Sequence, residues 1–374
     1  MNLKTIWVNG RYLTRKITGV ERVAGEVLAS LAEHYLDAQG RYDRNGSRLQ
    51  FKLAIESGSE FSVPAYAEGW EIKRFGRHKG HAWEQLDLAN LPKEDWVLSL
   101  CNTGPLLRAN HFIFFHDAQV YAIPKNFDWK FRWWYKALLN LSGRRSQTIL
   151  TNSEFSKSEL IKYTGISSKK FETILLGCDH IRRIKPETPV ELLTQLNGKP
   201  YVLAVSSASP NKNFSSVLKA LELLGSKAPH CVIVGQQYSK VFKDSKLNSN
   251  RVIEMGYVSD EALAGLYTHA MCLVFPSFYE GFGLPPLEAM LLGCPVIASN
   301  CSSLPEVCGS AALYCDPNDP TTIANSISFL VKNPEKVSTM RITSKVHAEN
   351  FTWKKSATYL LRVLEKSARI KASI

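Results

Sequence analysis

The chain has 374 residues, of which 45% are hydrophobic and 21% are charged. This length favours two domains, and the ordinary globular composition excludes wholesale disorder, collagen and coiled coil. The net charge is +12, and residues 1–185 hold 28 Lys and Arg against 19 Asp and Glu. A basic first half favours an anionic partner such as a membrane face, a nucleic acid or a phosphorylated substrate. A merely solvated basic surface is the alternative.

No stretch of about 18 apolar residues occurs, so no membrane-spanning helix is predicted. The first residues lack the apolar core and the cleavage site of a signal peptide, which favours a cytoplasmic location. The eight cysteines form no C-x-x-C pair. We expect them to be small buried hydrophobes in a reducing compartment rather than disulfides or metal ligands.

Short, nearly continuous apolar runs alternate with helical patterns along the whole chain. Strands that helices cover on both faces have this pattern, so we predict parallel α/β domains. The predicted strands of the first half are residues 6–8, 51–55, 96–100, 112–115, 148–150 and 173–176. Those of the second half are residues 201–205, 231–234, 252–255, 272–275 and 295–298. The predicted helices include residues 20–31, 214–224, 260–267 and, with an amphipathic pattern, 353–370.

Two prolines in a polar stretch at residues 185–189 indicate a linker, and we place the domain boundary near residues 186–200. The predicted domains are residues 1–185 and 186–350, followed by a C-terminal helix at 351–374. Ligands of parallel sheets bind beyond the carboxyl ends of the strands, so candidate site residues are sought in the loops that follow strands.

The strongest of these loops is residues 276–288. It contains Gly281 and Gly283, and the two prolines after them predict the start of a helix. Free N–H groups at such a start can hold a phosphate. Glu280 and Glu288 flank this anion site, where carboxylates suit the hydroxyl groups of a sugar. A glycine turn with a buried capping acid is the structural alternative.

Four further positions follow predicted strands. Lys212 is predicted in the first turn of a helix, where its charge opposes the helix dipole unless an anion binds; an exposed lysine is the alternative. His116 is either a site residue or a satisfied structural histidine. Gly19 opens a third helix N-terminus, and the loop after Gly235 could approach a base or a ribose. The P-loop lysine motif and G-x-G-x-x-G are both absent.

Residues 280–288 read Glu-Gly-Phe-Gly-Leu-Pro-Pro-Leu-Glu, an E-x7-E pattern, and Gly-Cys-Pro-Val-Ile-Ala follows at 293–298. With these motifs the chain resembles the retaining glycosyltransferases of family 4, which have the GT-B fold. Further matching motifs are Thr18-Gly19-Val20-Glu21-Arg22, His116-Asp117, Thr151-Asn152-Ser153-Glu154-Phe155-Ser156, Gly177-Cys178-Asp179, Leu304-Pro305-Glu306-Val307 and Asp316-Pro317. The resemblance runs from about residue 5 to 365, and it is nearest to bacterial mannosyltransferase-like members that build O-antigen and other surface polysaccharides.

The resemblance implies two Rossmann-like parallel-sheet domains that face a cleft, with the last helix crossing back onto the first domain. It also implies that Glu288 binds the donor ribose, Glu280 contacts hydroxyl groups of the transferred sugar and Lys212 contacts the diphosphate. His116 is implied to lie near the transferred sugar and the acceptor. The other donor-binding residues that we predict are Gly19, Ser207, Asn211, Gly235, Gly281, Phe282, Gly283 and Leu284.

The chain departs from the family at one place. Many members carry an arginine directly before the lysine or five residues earlier, where this chain has Asn211 and Ser207. Neither side chain neutralises a pyrophosphate. We therefore expect either weaker donor binding or a substitute cation, for which the first domain offers Arg11, Arg15, Lys16 and Arg22.

The expected reaction is transfer of a sugar with retention of configuration onto a growing glycan or a polyprenyl-diphosphate-linked acceptor. GDP-mannose is the preferred donor and UDP-linked sugars remain open. The nucleotide sugar is a co-substrate, and neither a cofactor nor a metal is expected. A nucleotide-sugar epimerase on the same fold is the nearest rival. The missing glycine fingerprint disfavours a nicotinamide oxidoreductase, and the intact site residues disfavour a non-enzymatic scaffold.

Residues 124–145 carry six Lys and Arg against one Asp, and Trp129, Trp133, Trp134 and Tyr135 lie among them. Aromatic rings favour the headgroup layer and basic residues favour anionic lipid, so we predict a helix in the interface of the inner face of the plasma membrane. The alternative is that the tryptophans pack into the first domain. Nucleic acid is not an expected partner, because no RNA-recognition motif accompanies the segment.

Overall fold

The structure, a computed structural model, describes residues 3–44, 46–206, 209–235 and 251–372. It divides into two compact units. The first unit holds the chain up to Gly177 together with the C-terminal helix from Trp353, and the second unit holds Cys178–Thr352. Each unit is built on a predominantly parallel sheet with helices, as the alternating apolar pattern predicts.

The sheet of the first unit consists of β1 (Lys4–Asn9), β2 (Arg41–Arg44), β3 (Ser47–Glu56), β4 (Glu71–Phe75), β5 (Trp96–Ser99), β6 (His111–Phe114), β7 (Thr148–Thr151) and β8 (Phe171–Thr173). Their order is β2-β3-β1-β5-β6-β7-β8, and β4 also pairs with β3. Only the β2–β3 pair is antiparallel among these described strands. The central strands β5 and β6 are buried along their whole length.

The helices of the first unit are α1 (Gly19–Tyr35), α2 (Gly80–Ala82), α3 (Gln119–Ala122), α4 (Trp129–Arg145), α5 (Glu154–Thr164) and the C-terminal α13 (Trp353–Ala372). Helix α4 begins after Asp128, whose carboxylate accepts a hydrogen bond from the N–H of Lys130 at 2.9 Å. Helix α13 packs against α1, where the hydroxyl groups of Tyr35 and Thr358 lie 2.6 Å apart. The amphipathic pattern at 353–370 thus marks a helix of the first unit.

The sheet of the second unit consists of β9 (Tyr201–Ser206), β10 (His230–Gly235), β11 (Val252–Gly256), β12 (Cys272–Phe275), β13 (Val296–Ser299) and β14 (Leu313–Cys315). Their order is β11-β10-β9-β12-β13-β14, and all described pairs are parallel. The helices are α6 (Val190–Leu196), α7 (Phe214–Leu224), α8 (Asp260–His269), α9 (Leu284–Leu291), α10 (Leu304–Cys308), α11 (Pro320–Lys332) and α12 (Pro334–Ala348).

The core of the second unit explains its stability. Val202, Val274 and Ile297 from three neighbouring strands are at most 1% exposed and pack with Leu221 of α7 and Ile327 of α11. Burial of one such side chain is worth about 1.5–3 kcal/mol. The short apolar runs therefore form strands because helices cover them.

The two units divide between Gly177 and Cys178, ahead of the boundary predicted near residues 186–200. Cys178 belongs to the second unit because its N–H donates to the carbonyl of Phe351 at 3.1 Å. The polar stretch that suggested a linker leads directly into helix α6 of the second unit.

Each sheet has a switch point, a pair of neighbouring strands at which the strand order reverses. The loops after these two strands diverge and leave a crevice. In the second unit this place lies between β9 and β12, which pair at Val202 and Cys272. In the first unit it lies between β1 and β5, which pair at Ile6 and Trp96.

Candidate functional site

A cation and an acid meet at the carboxyl ends of β9 and β12. The Nζ of Lys212, from the loop after β9, donates to Oε1 of Glu280, from the loop after β12, at 2.6 Å. Both side chains are largely buried, and the Lys212 Nζ also lies 5.4 Å from the centre of the Phe275 ring. The structure thus joins two of the residues that the sequence predicts to bind the donor.

The prediction that Lys212 lies in the first turn of a helix is wrong. Lys212 ends a 3-10 turn at Pro210–Lys212, and Asn213, with a φ of 59°, separates this turn from helix α7 at Phe214. The predicted conflict with the helix dipole does not arise in this form, because the charge is already paired with Glu280.

Asn211 fastens the two loops to each other. Its side-chain N–H donates to the backbone carbonyl of Tyr279 at 3.1 Å, and its backbone carbonyl accepts from the N–H of Phe278 at 2.8 Å. Only 3% of Asn211 is exposed, so a buried amide fills a position for which the family resemblance implies an arginine. Its contact with a donor stays a prediction.

Two other predicted donor-binding residues, Ser207 and Gly235, lie beyond or at the end of a described range. Ser207 lies outside the described residues. Gly235 is the last residue of β10, where its φ of 132° is one that side chains rarely adopt. The residues that follow it, 236–250, also lie outside the described part, so contacts of this loop with a base or a ribose stay predictions.

The glycine loop begins a helix where the sequence predicts one, at Leu284. Gly283 precedes it with a φ of 116°, and a Cβ at this position would lie 2.8 Å from a methyl carbon of Leu304. The fold therefore requires glycine at this position, and the N–H of Leu284 is presented at the end of β12, because Pro285 and Pro286 carry none. Gly281 and Phe282 complete the loop, and Phe282 is 3% exposed.

Two serines that the sequence analysis did not single out hold this loop. The hydroxyl of Ser303 donates to the carbonyls of Glu280 and Phe282, at 3.0 and 2.7 Å. The hydroxyl of Ser302 accepts from the N–H of Glu280 at 3.2 Å. These bonds fix the backbone on both sides of Gly281 and so help to orient the Glu280 carboxylate toward Lys212.

Glu288 lies in the second turn of α9 and contacts a histidine. Its Oε1 accepts from Nε2 of His180 at 3.1 Å. His180 comes from a 3-10 turn at Asp179–Arg183, more than a hundred residues earlier in the chain. Sequence reasoning missed His180, although it directly follows the Gly-Cys-Asp motif.

His116 lies at the carboxyl end of β6 in the first unit and is 5% exposed. Its Nε2 lies 2.8 Å from the carbonyl of Leu100, and because a carbonyl only accepts, Nε2 carries the proton. Burial lowers the pKa of His116 to about 4, although the bond to Leu100 raises it. Near neutral pH the ring is therefore uncharged, and its Nδ1 is an acceptor for a hydroxyl group.

Gly19 is the first residue of α1, behind a capping box made by Thr18 and Glu21. A Cβ at Gly19 would meet nothing within 4 Å. Unlike Gly283, this glycine is not required by packing among the described residues. The open space at a helix start is consistent with close approach of a ligand, which stays a prediction.

A buried carboxylate that the sequence did not reveal organises the switch point of the first unit. Glu84 is 1% exposed and accepts from Asn9, Arg11, His81 and Thr103, at 2.8–3.1 Å. Burial alone would raise the pKa of Glu84, but the hydrogen bond from His81, the charge of Arg11 and the bond from Asn9 lower it. The acid is thus ionised and held by four partners.

Two of the cations considered as substitutes for the missing arginine have acidic partners within the first unit. Arg11 pairs with Glu84 at 2.8 Å and Arg15 pairs with Glu21 at 3.3 Å. Neither cation is free in this structure. Any role of Arg11 or Arg15 toward a diphosphate would require these pairs to be shared or broken.

The described ranges contain no group of three or more His, Cys, Asp and Glu side chains that could hold a metal ion. Within the same ranges, no helix is long and apolar enough to cross a bilayer. All eight cysteines are free thiols, and six of them are buried, in agreement with the expectation of small core residues.

Helix α4 exposes a row of aromatic side chains. Trp129 and Trp133 are 65% and 72% exposed, and Phe131 and Trp134 are also exposed. The prediction of a helix is confirmed, and the alternative that these tryptophans pack into the core is wrong. Tyr135 differs, since it is only partly exposed and stacks on Phe131 at 5.1 Å. The ring of Trp129 also lies 5.6 Å from Nζ of Lys130.

Comparisons with known proteins find a matching family model and similar sequences. A protein-family model described as "Glycosyl transferases group 1" matches residues 193–347. O-antigen chain mannosyltransferase B of Escherichia coli is 33% identical over 255 residues, which are 65% of this chain and 67% of that protein. O-antigen chain mannosyltransferase RfbU of Salmonella typhimurium is 30% identical over 250 residues, 65% of this chain and 66% of that protein. The matched part thus spans about two thirds of each relative.

The structure of Anabaena Alr3699/HepE in complex with UDP-glucose has the same fold, with a TM-score of 0.71 and 18% sequence identity. The match covers 97% of this chain and 99% of that chain. This likeness confirms the predicted GT-B fold, in which both units are parallel-sheet α/β structures. Together with the 33% identity to the Escherichia coli protein, these findings show that the chain belongs to the group 1 glycosyltransferase family.

Proposed function

We propose that this protein is a retaining mannosyltransferase that moves mannose from GDP-mannose onto a growing glycan or a polyprenyl-diphosphate-linked acceptor in bacterial surface polysaccharide synthesis. The observation that carries the proposal is the Lys212–Glu280 pair at the carboxyl ends of β9 and β12, with Glu288 in the following helix. It provides a cation for a diphosphate and acids for hydroxyl groups. The two similar O-antigen mannosyltransferases support mannose as the sugar.

Donor binding changes the ionic partner of Lys212. A diphosphate carries more negative charge than one carboxylate, so it competes with Glu280 for the ammonium group. Once Lys212 turns to the diphosphate, Glu280 is free to accept hydrogen bonds from the hydroxyl groups of the sugar. Glu288, in the second turn of α9, binds the ribose hydroxyls of the nucleotide.

In the reaction, the bond between the anomeric carbon and the phosphate oxygen breaks, and a bond to the acceptor oxygen forms on the same face of the sugar. The acceptor proton passes to the departing phosphate oxygen. Lys212 and the backbone N–H groups of Phe282, Gly283 and Leu284 stabilise the charge that gathers on the leaving diphosphate, which makes a metal ion unnecessary. The neutral His116 accepts a hydrogen bond from a sugar hydroxyl, and no side chain acts as a nucleophile.

A transfer assay tests this reaction. The purified protein is incubated with GDP-mannose and a synthetic lipid-linked glycan in EDTA, and the product is analysed by NMR. The proposal predicts an α-linked mannose at an undiminished rate. An inverted product, or a strict requirement for Mg²⁺ or Mn²⁺, would overturn the mechanism, and a sugar released or isomerised without acceptor would favour an epimerase.

A UDP-linked sugar is a second candidate donor, because the structurally similar HepE binds UDP-glucose. A thermal-shift screen of GDP, UDP, dTDP and CDP distinguishes the candidates. We expect GDP to give the largest increase in melting temperature. A larger increase with UDP would replace mannose by a UDP-linked sugar and leave the site assignment in place.

The aromatic face of α4, formed by Trp129, Phe131, Trp133 and Trp134, is proposed to bind an anionic membrane surface. Exposed aromatic rings favour the headgroup layer, and Lys130 and the other basic residues of the segment attract acidic lipid. Each basic residue near such a surface contributes roughly 1 kcal/mol, so binding is reversible and sensitive to salt. It would hold the protein beside a lipid-linked acceptor.

Sedimentation with liposomes tests the membrane proposal. The wild-type protein should sediment with liposomes that contain anionic lipid at low salt and remain in solution at high salt. The double variant Lys130→Glu with Arg132→Glu should lose this binding but keep transfer to a short water-soluble acceptor. Lys332→Glu with Lys336→Glu, the same charge change at exposed positions of the second unit, is the matched control. Equal loss in both variants, or no binding by the wild type, would contradict the proposal.

A further inference from the structure

We infer that His180 is a positioning residue for donor binding, because its imidazole fixes the Glu288 carboxylate in the orientation that the ribose of the donor requires. This inference rests on the proposed function, since it takes Glu288 to bind the ribose hydroxyls. It adds a residue from outside the E-x7-E motif to the donor site.

The contact is direct and shielded from water. Nε2 of His180 lies 3.1 Å from Oε1 of Glu288, and the side chains are 2% and 10% exposed. A carboxylate accepts hydrogen bonds through two oxygens, and in the described part of the chain this is the one side-chain hydrogen bond of Glu288. One oxygen is therefore anchored, and the remaining acceptor capacity is left for a ligand.

The turn that carries His180 is fastened to the second unit on both sides. Before it, the N–H of Cys178 donates to the carbonyl of Phe351 at 3.1 Å. Two residues after His180 and still within the turn, Arg182 pairs with Glu349 at 2.7 Å. An imidazole on a turn held at two points has little freedom, so it can impose its orientation on the Glu288 side chain rather than follow it.

Stability alone does not account for a buried histidine–acid pair. Removing two polar groups from water costs free energy that their mutual attraction only partly returns, and apolar side chains of similar size often serve a core as well. Here the acid stands at the end of the family motif, in a helix that starts at the donor end of the sheet. An acid that is aimed at a ligand needs such a donor beside it to hold its orientation.

The inference predicts a specific kinetic effect. Without the imidazole, Glu288 samples several rotamers and its contact with the ribose weakens, whereas Lys212 still binds the diphosphate. His180→Ala should therefore raise the KM for the donor about 10-fold and change kcat less than about 3-fold, which is the scale of one hydrogen bond to a charged group. His180→Gln places an amide N–H near the position of Nε2 and should restore most of the affinity.

Ribose recognition is tested with calorimetry on GDP and its 2′,3′-dideoxy analogue, or on the UDP pair if UDP binds better. The wild type should bind the ribose form more tightly, and His180→Ala should bind both forms about equally. His230→Ala, a histidine of the same unit at the amino end of β10, should behave as wild type. Melting temperatures of all variants show whether a loss reflects unfolding.

A double-mutant cycle distinguishes the positioning role of His180 from the ribose contact of Glu288. If His180 acts through Glu288, adding His180→Ala to Glu288→Ala causes no further loss of affinity. If Glu288→Ala impairs ribose discrimination while His180→Ala does not, or if the two losses multiply, the inference is overturned and the proposed function stands. If Glu288→Ala keeps full ribose discrimination, the proposed ribose contact fails and the inference fails with it.

Discussion

The two switch points hold their acids in different ways. In the second unit, Glu280 and Glu288 each accept a side-chain hydrogen bond from one basic residue, Lys212 and His180. In the first unit, a single acid, Glu84, is held by four partners and is almost completely buried. An acid with one partner retains acceptor capacity for a ligand, whereas an acid with four partners is part of the scaffold. We therefore expect Glu280 and Glu288 to change partners when a ligand binds, and the Glu84 network to keep its partners.

The largest effect is expected from Glu84. Glu84→Ala leaves Arg11 with an uncompensated charge in a buried place and should lower the free energy of unfolding of the first unit by about 3–5 kcal/mol. All eight tryptophans lie in the first unit, so tryptophan fluorescence during urea unfolding reports on this unit. Glu33→Ala, which removes an exposed acid, should change the stability by less than about 0.5 kcal/mol. Equal effects of the two variants would contradict a scaffold role for Glu84.

The second-largest effect is the change of the free energy of unfolding with pH. The pKa of His116 is about 4 in the folded protein because of burial, against about 6.5 in an unfolded chain. The unfolded state therefore binds a proton first as the pH falls, so stability is lost between about pH 6.5 and pH 4, by about 3 kcal/mol for this residue. His111, whose pKa burial lowers to about 3, adds to the same slope. His116→Gln should make the dependence of unfolding free energy on pH shallower, and an unchanged slope would show that folding does not lower the pKa of this ring.

The smallest effect comes from a comparison of two glycines. Gly283→Ala forces a side chain into a φ of 116° and against Leu304, so we expect a loss of about 1–3 kcal/mol in stability. Gly19→Ala meets open space and should leave stability within about 0.5 kcal/mol, while it raises the KM for the donor. Thermal melting and donor kinetics of both variants provide the measurement. Normal donor kinetics for Gly19→Ala would remove Gly19 from the donor site.

The sequence predicts the buried strands well and the edge strands poorly. Strands such as β12 coincide with the predicted run because helices cover them and every residue is apolar. The strands β2 and β4 were missed because charged residues interrupt them and no continuous apolar run results. The strand β14 is apolar but only three residues long, and it was missed too. The predicted strand 173–176 is displaced: β8 covers Phe171–Thr173, and of the apolar residues after it Ile174 and Leu176 are buried whereas Leu175 is 43% exposed.

The site residues also divide into those that the sequence predicts and those that it does not. Glu280, Gly283 and Glu288 are recognisable from the sequence because one loop and one helix contain them all. His180 and Glu84 are not, because their partners lie far away in the chain and only the strand order brings them together. A histidine or glutamate in a polar stretch has no local signal of burial. The sequence therefore predicts the residues of a contiguous motif, and the fold supplies the partners that orient them.

Lys212 is proposed to bind the diphosphate of a nucleotide sugar at the carboxyl ends of β9 and β12. The most direct measurement is calorimetry of GDP and of guanosine, which lacks the diphosphate, on the wild type and on Lys212→Ala. We predict that GDP affinity falls about 10- to 100-fold in the variant, the scale of a charged hydrogen bond, while guanosine affinity is unchanged. An unchanged GDP affinity, or an equal loss for GDP and guanosine, would contradict the assignment of Lys212 to the diphosphate.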